Sequence, residues 1–259
     1  MRRLILEEPV SRPAQWSPDV ASFALIVTVM AVVLIRLGRV DYTAGFVVLA
    51  AGLALAALAI VLSGLAFLRI WQEGRRGLGS AMRGMLIGAI VLAYPSYFAL
   101  RFVTLPRIND VSTDVDNPPA FSRSHAALQA REGRVPPDVP PAQREQQREA
   151  YPQVAPLTLD LPPEEAFEIV RKAAQNRGWQ IVESSRPGGR SGLGRLEAVD
   201  RTLLLKLPDD ITVRIRPRAD GTRIDIRSAS RLGNHDFGAN AARVRRFLEE
   251  VSELAIKAG

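Results

Sequence analysis

Three long apolar runs fill the first 107 residues, and a weaker, interrupted pattern fills the rest. The first run, "VASFALIVTVMAVVLI", lies between Asp19 and Arg36; the second lies between Asp41 and Arg69, and the third between Arg83 and Arg101. A helix that crosses a bilayer needs roughly 20 apolar residues, with about 17–25 usual. The second run meets that length outright, and flanking arginines that snorkel extend the other two. The pattern predicts an α-helical membrane anchor of three transmembrane helices over residues 1–105. No charge lies inside the runs, so they lack the mid-membrane ionisable groups of pumps and carriers. Gly45, Gly52, Ala56 and Ala59 give the second run a small-residue surface for close helix packing. Pro95 stands where it would kink the third run. Anchorage is the role this half predicts.

Residues 106–259 read as an extramembrane α+β domain. Leu157 and Leu159 alternate as in a short strand. Pro162 and Pro163 then lead into a helix with Glu164 and Glu165 in its first turn, where acids suit the helix dipole. Ala166, Phe167, Val170 and Ala174 form its apolar face, and Gly178 is its stop. "WQIVE" reads as a strand, a Gly-rich turn follows from Pro187 to Gly194, and "RLEAVDRTLLLKL" reads as one strand or two. In "ITVRIRPRADGTRIDIRS" the alternation is clean, and Asp220-Gly221 reads as a two-residue hairpin turn. That turn pairs Arg218 with Arg223, Arg216 with Asp225 and Arg214 with Arg227, giving one face on a core and one lined by arginines. The chain closes on an amphipathic helix with Val244, Phe247, Leu248, Val251, Leu254 and Ala255 as its stripe, Asn240 one turn ahead, and Asp236 as N-cap. The order predicts a two-layer α+β domain with an antiparallel sheet and two helices. Residues 122–150 have weak periodicity and two Pro-Pro pairs, and read as a flexible, extended excursion.

Charge changes this picture by locating the domain. The net charge of +7 is concentrated in residues 1–107, which hold 11 Lys+Arg and 5 Asp+Glu, a net +6; the remainder holds 23 and 22, a net +1. Basicity beside membrane segments argues against a nucleic-acid partner. Arg2, Arg3 and Arg12 precede the first run, and Arg69, Arg75, Arg76 and Arg83 flank the second loop, against only Arg36 and Arg39 in the first loop. The positive-inside rule then puts the amino terminus in the cytoplasm and residues after about 105 on the far side of the cytoplasmic (inner) membrane, the periplasm of a two-membrane bacterium. The first run lacks a small-x-small cleavage site and reads as a retained anchor. With no cysteine in the chain, disulfides, thiolate metal sites and cysteine nucleophiles are excluded.

Two stretches could carry chemistry. "NDVSTDVDNPPAF" places Asp110, Asp114 and Asp116 together, but counted from Asp114 the sixth position is Pro119 and the twelfth His125, where a calcium loop needs Gly and Glu. The aspartates and hydroxyls satisfy local backbone donors instead. "RSASRLGNHDFGAN" gathers Arg227, Ser228, Ser230, Arg231, Asn234, His235, Asp236 and Asn240 at a strand-to-helix junction. Capping and bracing account for Asp236, Gly233 and Asn240. An anion or small ligand on the helix N-terminus, flanked by arginines, is the alternative. The arginine face, with Arg214, Arg216 and Arg227, is either a solvated surface or a contact for anionic lipid. A hydrolase using His235 and Asp236 is the competing class, without a nucleophile-elbow signature. "GRSGLGR" lacks the Gly-Lys-Ser/Thr of a phosphate loop.

Three separated stretches, "NDVSTDVDNPPAF", "YPQVAPLTLDLP" and "IDIRSASRLGNHDFGANAARVRRFL", with "RLEAVDRT…PDDITVRIRP" before the last, resemble the bacterial family known as domain of unknown function 1499 across residues 108–250. The resemblance implies an often membrane-anchored module and supplies no reaction. The expectation is a non-enzymatic envelope protein, integral to the bilayer. Its exported domain binds a protein partner, an anionic lipid or a small ligand, with no cofactor or metal implied.

Overall fold

The computed structural model describes residues 9–188 and 192–258. Arg2, Arg3 and the centre of the Pro187–Gly194 turn lie outside the described residues. The chain divides into two units, Met1–Leu100 and Arg101–Gly259.

The first unit holds α1 (Arg12–Arg36), α2 (Tyr42–Glu73) and all but the last four residues of α3 (Leu78–Thr104), and each of these helices is long and apolar enough to cross a membrane. The Asp41 carboxylate opens α2 by accepting the Ala44 N–H at 2.9 Å, satisfying a donor that the helix leaves unpaired. The buried positions of α2 are Gly45, Gly52, Ala56, Ala59, Ser63 and Ala66. Their spacing keeps them on one helical face, the small-residue surface predicted from sequence. Gly52 shows why the residues are small: a Cβ there would stand 2.5 Å from Thr28 Oγ1 of α1. Pro95 lies within α3, which continues past it to Thr104.

The second unit is built on an antiparallel sheet with β6 (Gly221–Ser230) near one edge. β1 (Asp110–Ser112) and β2 (Leu157–Leu159) pair end to end along its outer side. β5 (Pro208–Arg218), β4 (Gly194–Arg201) and β3 (Gln180–Ser185) follow in that order on its other side. Ile224 and Ile226 of β6, with Ile211, Val213 and Ile215 of β5, pack on α6 (Pro163–Asn176) and α7 (Ala239–Ala258). Val170, Val244, Phe247 and Val251 complete that core, and Trp179 stacks on Phe247 with ring centroids 4.7 Å apart. This is the two-layer α+β domain that the pattern predicts.

The hairpin register differs from the expected one by two residues. The turn is Ala219-Asp220, and Arg214 stands opposite Asp225 rather than Arg227. A two-residue slip leaves every side chain on its expected face, whereas a slip of one would have inverted them. The observed register drops the like-charged pairs Arg218–Arg223 and Arg214–Arg227, sets Arg216 opposite Arg223 instead, and moves Asp225 from Arg216 to Arg214, which contacts it at 2.9 Å. Gly221 is the first residue of β6, not part of the turn. Its φ is +128°, and a Cβ would lie 2.2 Å from the Leu159 carbonyl oxygen, so glycine there admits β2 to the sheet edge.

The arginine-lined face is covered around Arg214 and Arg227, while Arg216 is half-buried and Arg218 exposed. Residues 113–150 lie across it with two short helices, α4 (His125–Ala130) and α5 (Pro141–Ala150), where the sequence reads as an extended excursion. Arginines hold this cover by its carbonyls: Arg214 donates to Asn117, Arg231 to Ala130 and Arg227 to Pro137, at 2.7–3.0 Å. From within the cover, Arg131 donates to the carbonyls of Ser122 and Arg134. Gln147 closes the exposed edge of β1, accepting the Ser112 N–H at 3.1 Å and donating to its carbonyl at 2.6 Å. A side-chain amide thus replaces the missing strand neighbour. Polar clips of this kind need no apolar period, which is why the pattern along 122–150 is weak.

Candidate functional site

The strand-to-helix junction is built around the first residues of the domain. Ser230 N–H donates to the Asn109 carbonyl at 2.8 Å, Asp236 N–H to the Ile108 carbonyl at 3.0 Å, and Asn109 Nδ2 to the Gly233 carbonyl at 2.7 Å. Asn240, fully buried, donates to Asn109 O and Ser230 Oγ and accepts from Ser228 Oγ and Arg243. Arg243 continues the network to Ser228 Oγ, Asp200 and Asp209. Burial alone would lower the Arg243 pKa; the Asp209 and Asp200 carboxylates outweigh it and raise it. Asp236 accepts the N–H groups of Gly238 and Asn240 at 2.9 and 2.8 Å, capping α7 from two residues ahead of the cap position. Its pKa is raised, because burial outweighs these N–H contacts.

His235 does not join Asp236 in a catalytic pair. Its Nδ1 accepts the Phe237 N–H at 2.8 Å, its ring stacks on both Phe102 and Phe237, which also contact each other, and Nε2 is buried without a hydrogen-bond partner among the described residues. The Ser230 hydroxyl belongs to the Asn240 network. Ser230 and Asp236 both bond Asn240 and neither bonds His235, so the relay a hydrolase needs is not formed among these three.

The remaining predicted residues separate by position. Arg214 bonds Asp225 and Asp114, and Arg227 grips Asp110 through Nε and a terminal nitrogen at 2.7–3.1 Å. Arg231 grips Asp210 in the same way, at 2.7–3.1 Å. Asp110 is pushed up by burial, with its Arg227 contact opposing. Arg216 is half-buried and its side chain makes no hydrogen bond among the described residues. The aspartates of "NDVSTDVDNPPAF" thus serve arginines: Asp110 serves Arg227, Asp114 serves Arg214 and Arg223, and Asp116 serves Arg148.

Of the eight candidates, Arg231 and Asn234 share a cleft. It has a volume of about 350 Å³, between the end of β6 and the Pro-rich stretch 134–140. Its floor carries Asp110, Asp210 and Arg231, all paired. Its walls carry Arg134, Asp138, Gln143 and Asn234, whose side chains make no hydrogen bond among the described residues. Sequence reading missed Arg243, Arg131, Glu197, Asp209, Asp210 and Arg134. Arg243 was recoverable, since it lies three residues from Asn240 on the inner face of a helix. Asp209 was too, as the alternation of Ile211 and Val213 extends back to it. Arg131 and Arg134 sit in a segment with no period to mark them.

Fold and site define a membrane protein with three apolar helices and an α+β domain braced at its entry point. A family model described as "Protein of unknown function (DUF1499)" matches residues 110–251, more than half of the chain, and the chain belongs to that family. No curated protein matches it. Among solved structures it is similar to TTHA0849 from Thermus thermophilus at 12% identity, covering 40% of this chain and 97% of that one with a TM-score of 0.22. It is also similar to CalU16 from Micromonospora echinospora at 14% identity, covering 39% and 79% with a TM-score of 0.21.

Proposed function

We propose that the protein is a membrane-anchored, non-enzymatic binding module whose domain takes a small polar ligand in the cleft between β6 and the Pro-rich stretch. The cleft carries this reading. Its volume of about 350 Å³ falls within the roughly 300–1,000 Å³ of small-molecule sites. Its floor is electrostatically closed, whereas Arg134, Gln143 and Asn234 hold open donors at the walls beside the carboxylate of Asp138, unpaired among the described residues. An anionic group on the ligand would meet Arg134, with Asn234 and Gln143 supplying directional bonds. The large face that Arg214 and Arg227 were expected to offer to lipid is taken by internal carboxylates and by the cover.

Purified full chain in detergent is expected to gain thermal stability with citrate or glycerol phosphate. Arg134→Ala should weaken that gain, and Asn234→Trp, which fills the cleft from an exposed wall position, should abolish it. Equal responses from wild type and Asn234→Trp would rule the cleft out.

Arginine placement supports a domain on the periplasmic side of the inner membrane, with the amino terminus cytoplasmic. Alkaline phosphatase fused after Gly259 is expected to be active and a cytoplasm-dependent fluorescent reporter dark. The opposite pair of results would reverse the orientation.

A further inference from the structure

The connection between β4 and β5 takes no part in the cleft or the junction. Its sequence, "RTLLLKL", places three leucines between Arg201 and Lys206. The loop is held in shape from within. Thr202 N–H donates to the Leu207 carbonyl at 2.9 Å, the Thr202 hydroxyl accepts the Leu207 N–H at 2.9 Å, and the Lys206 N–H donates to the Thr202 carbonyl at 3.0 Å. Lys206 adopts a left-handed φ of +55° to close it, a conformation that a non-glycine residue takes only where its surroundings hold it. This fixed loop presents Leu203 at 87% exposure, with Leu204 exposed beside it. Among the described residues after Leu105, Ile256 is the other large apolar side chain so exposed.

Topology puts the loop at one particular end of the sheet. Arg201 pairs with Pro208, Asp209 with Ser230, and Ala229 with Asp110, so the loop and the start of β1 share that end. β1 is two strands from β5, about 10 Å across the sheet. α3 ends at Thr104 and β1 begins at Asp110, so the linking residues reach at most about 18 Å when fully extended. The end of the sheet that carries the leucines is therefore the end at which the chain enters the domain from α3.

The carboxylates that flank the loop are paired, while Asp138, on the cleft wall at the same end of the sheet, has no ion pair among the described residues. Asp200 and Asp209 are bound by Arg243, and Asp210 by Arg231. Arg201 and Arg107 are exposed, and Lys206 flanks the leucines. Basic residues around an apolar tip match an anionic headgroup layer over hydrocarbon.

We infer that the β4–β5 loop is a second membrane contact: Leu203 and Leu204 enter the headgroup region of an anionic bilayer, and Arg201 and Lys206 hold the lipid phosphates. The tether and the loop would together fix which face of the domain the membrane sees.

The chain has no cysteine, so single-cysteine variants can be labelled cleanly. Leu203→Cys and, as a distal control, Ile256→Cys would each carry an environment-sensitive fluorophore in the full chain, reconstituted into phosphatidylcholine vesicles with or without phosphatidylglycerol. The label at 203 should shift to the blue, resist aqueous iodide and be quenched by doxyl lipid, while the label at 256 should stay open to iodide. Arg201→Glu and Lys206→Glu should each lower lipid contact at 203 by about fivefold in the anionic vesicles. Iodide access at 203 equal to that at 256 would overturn the inference. So would iodide protection at 203 without doxyl quenching, since a second protein surface would then be covering the loop.

Discussion

Replacing Arg131 with alanine is expected to destabilise the extramembrane domain by about 3–5 kcal/mol, the usual loss when one partner of a buried ion pair is removed. The Arg131 and Glu197 side chains are 3% and 2% exposed, with a terminal nitrogen of Arg131 2.9 Å from Glu197 Oε2. Without Arg131, Glu197 keeps the Ser122 N–H at 2.9 Å and the lesser influence of Arg195, at a side chain only 2% exposed. The same substitution removes the clips on the Ser122 and Arg134 carbonyls and one of the two cations over the Phe121 ring, Arg227 being the other, so the cover and the sheet loosen together.

Two companion measurements separate charge from packing. Arg131→Met with Glu197→Leu removes both charges and keeps most of the volume, and should recover most of the loss. The pH dependence carries a definite sign. Burial raises the Glu197 pKa above its ordinary 4.5, with the Ser122 N–H and Arg131 opposing, and deleting Arg131 raises it further. The penalty in the alanine variant is thus complete above the folded-state pKa and shrinks as pH falls through that value toward 4.5. Urea unfolding of the full chain in detergent, followed by Trp179 fluorescence in a Trp16→Phe/Trp71→Phe background, reads all three variants. A loss below about 1 kcal/mol would mean that Glu197 reaches solvent, and that the cover is not seated as described.

The parts of the domain that rest on apolar burial were legible in the sequence. The stripe from Val244 to Val251, the face of α6 and the alternation of β5 and β6 all follow from fixed periods, because each buries against a continuous core. The hairpin register was not legible. Asp220-Gly221 carries the local signal of a turn, yet Gly221 is needed one place later for the approach of Leu159, a tertiary requirement with no local mark. The polar half was harder. Asp110 and Arg227 are 117 residues apart, and nothing in either neighbourhood names the other. "NDVSTDVDNPPAF" looked like a metal loop in isolation because its aspartates are close in sequence; their arginines come from the sheet and from α5. The junction was located correctly as a concentration of polar residues, and Asp236 and Asn240 brace it. The cleft was missed because half of its wall comes from a segment that reads as an excursion.

Phe247→Ala is expected to cost about 3–5 kcal/mol, the range for emptying a fully buried aromatic site. Phe247 has no exposed surface. It stacks on Trp179, which leads into β3 and is itself 5% exposed, so its removal leaves a void lined by α6, α7 and the sheet. Phe247→Leu should cost less, because the leucine fills part of that void. The pairing of this apolar contact with the polar hub gives a sharper test of how α7 is held. Asn240 lies seven residues earlier on the same face, about 10 Å along the axis. Asn240→Ala alone should cost about 1–3 kcal/mol by leaving Ser228 Oγ, the Asn109 carbonyl and Arg243 short of a partner. If the hub and the aromatic contact act independently, the double variant should lose the sum of the two within about 0.5 kcal/mol. A double loss well short of the sum would mean that either change alone already releases the helix. α7 would then dock as one cooperative unit, with the junction rigid only because Phe247 seats the helix beneath it.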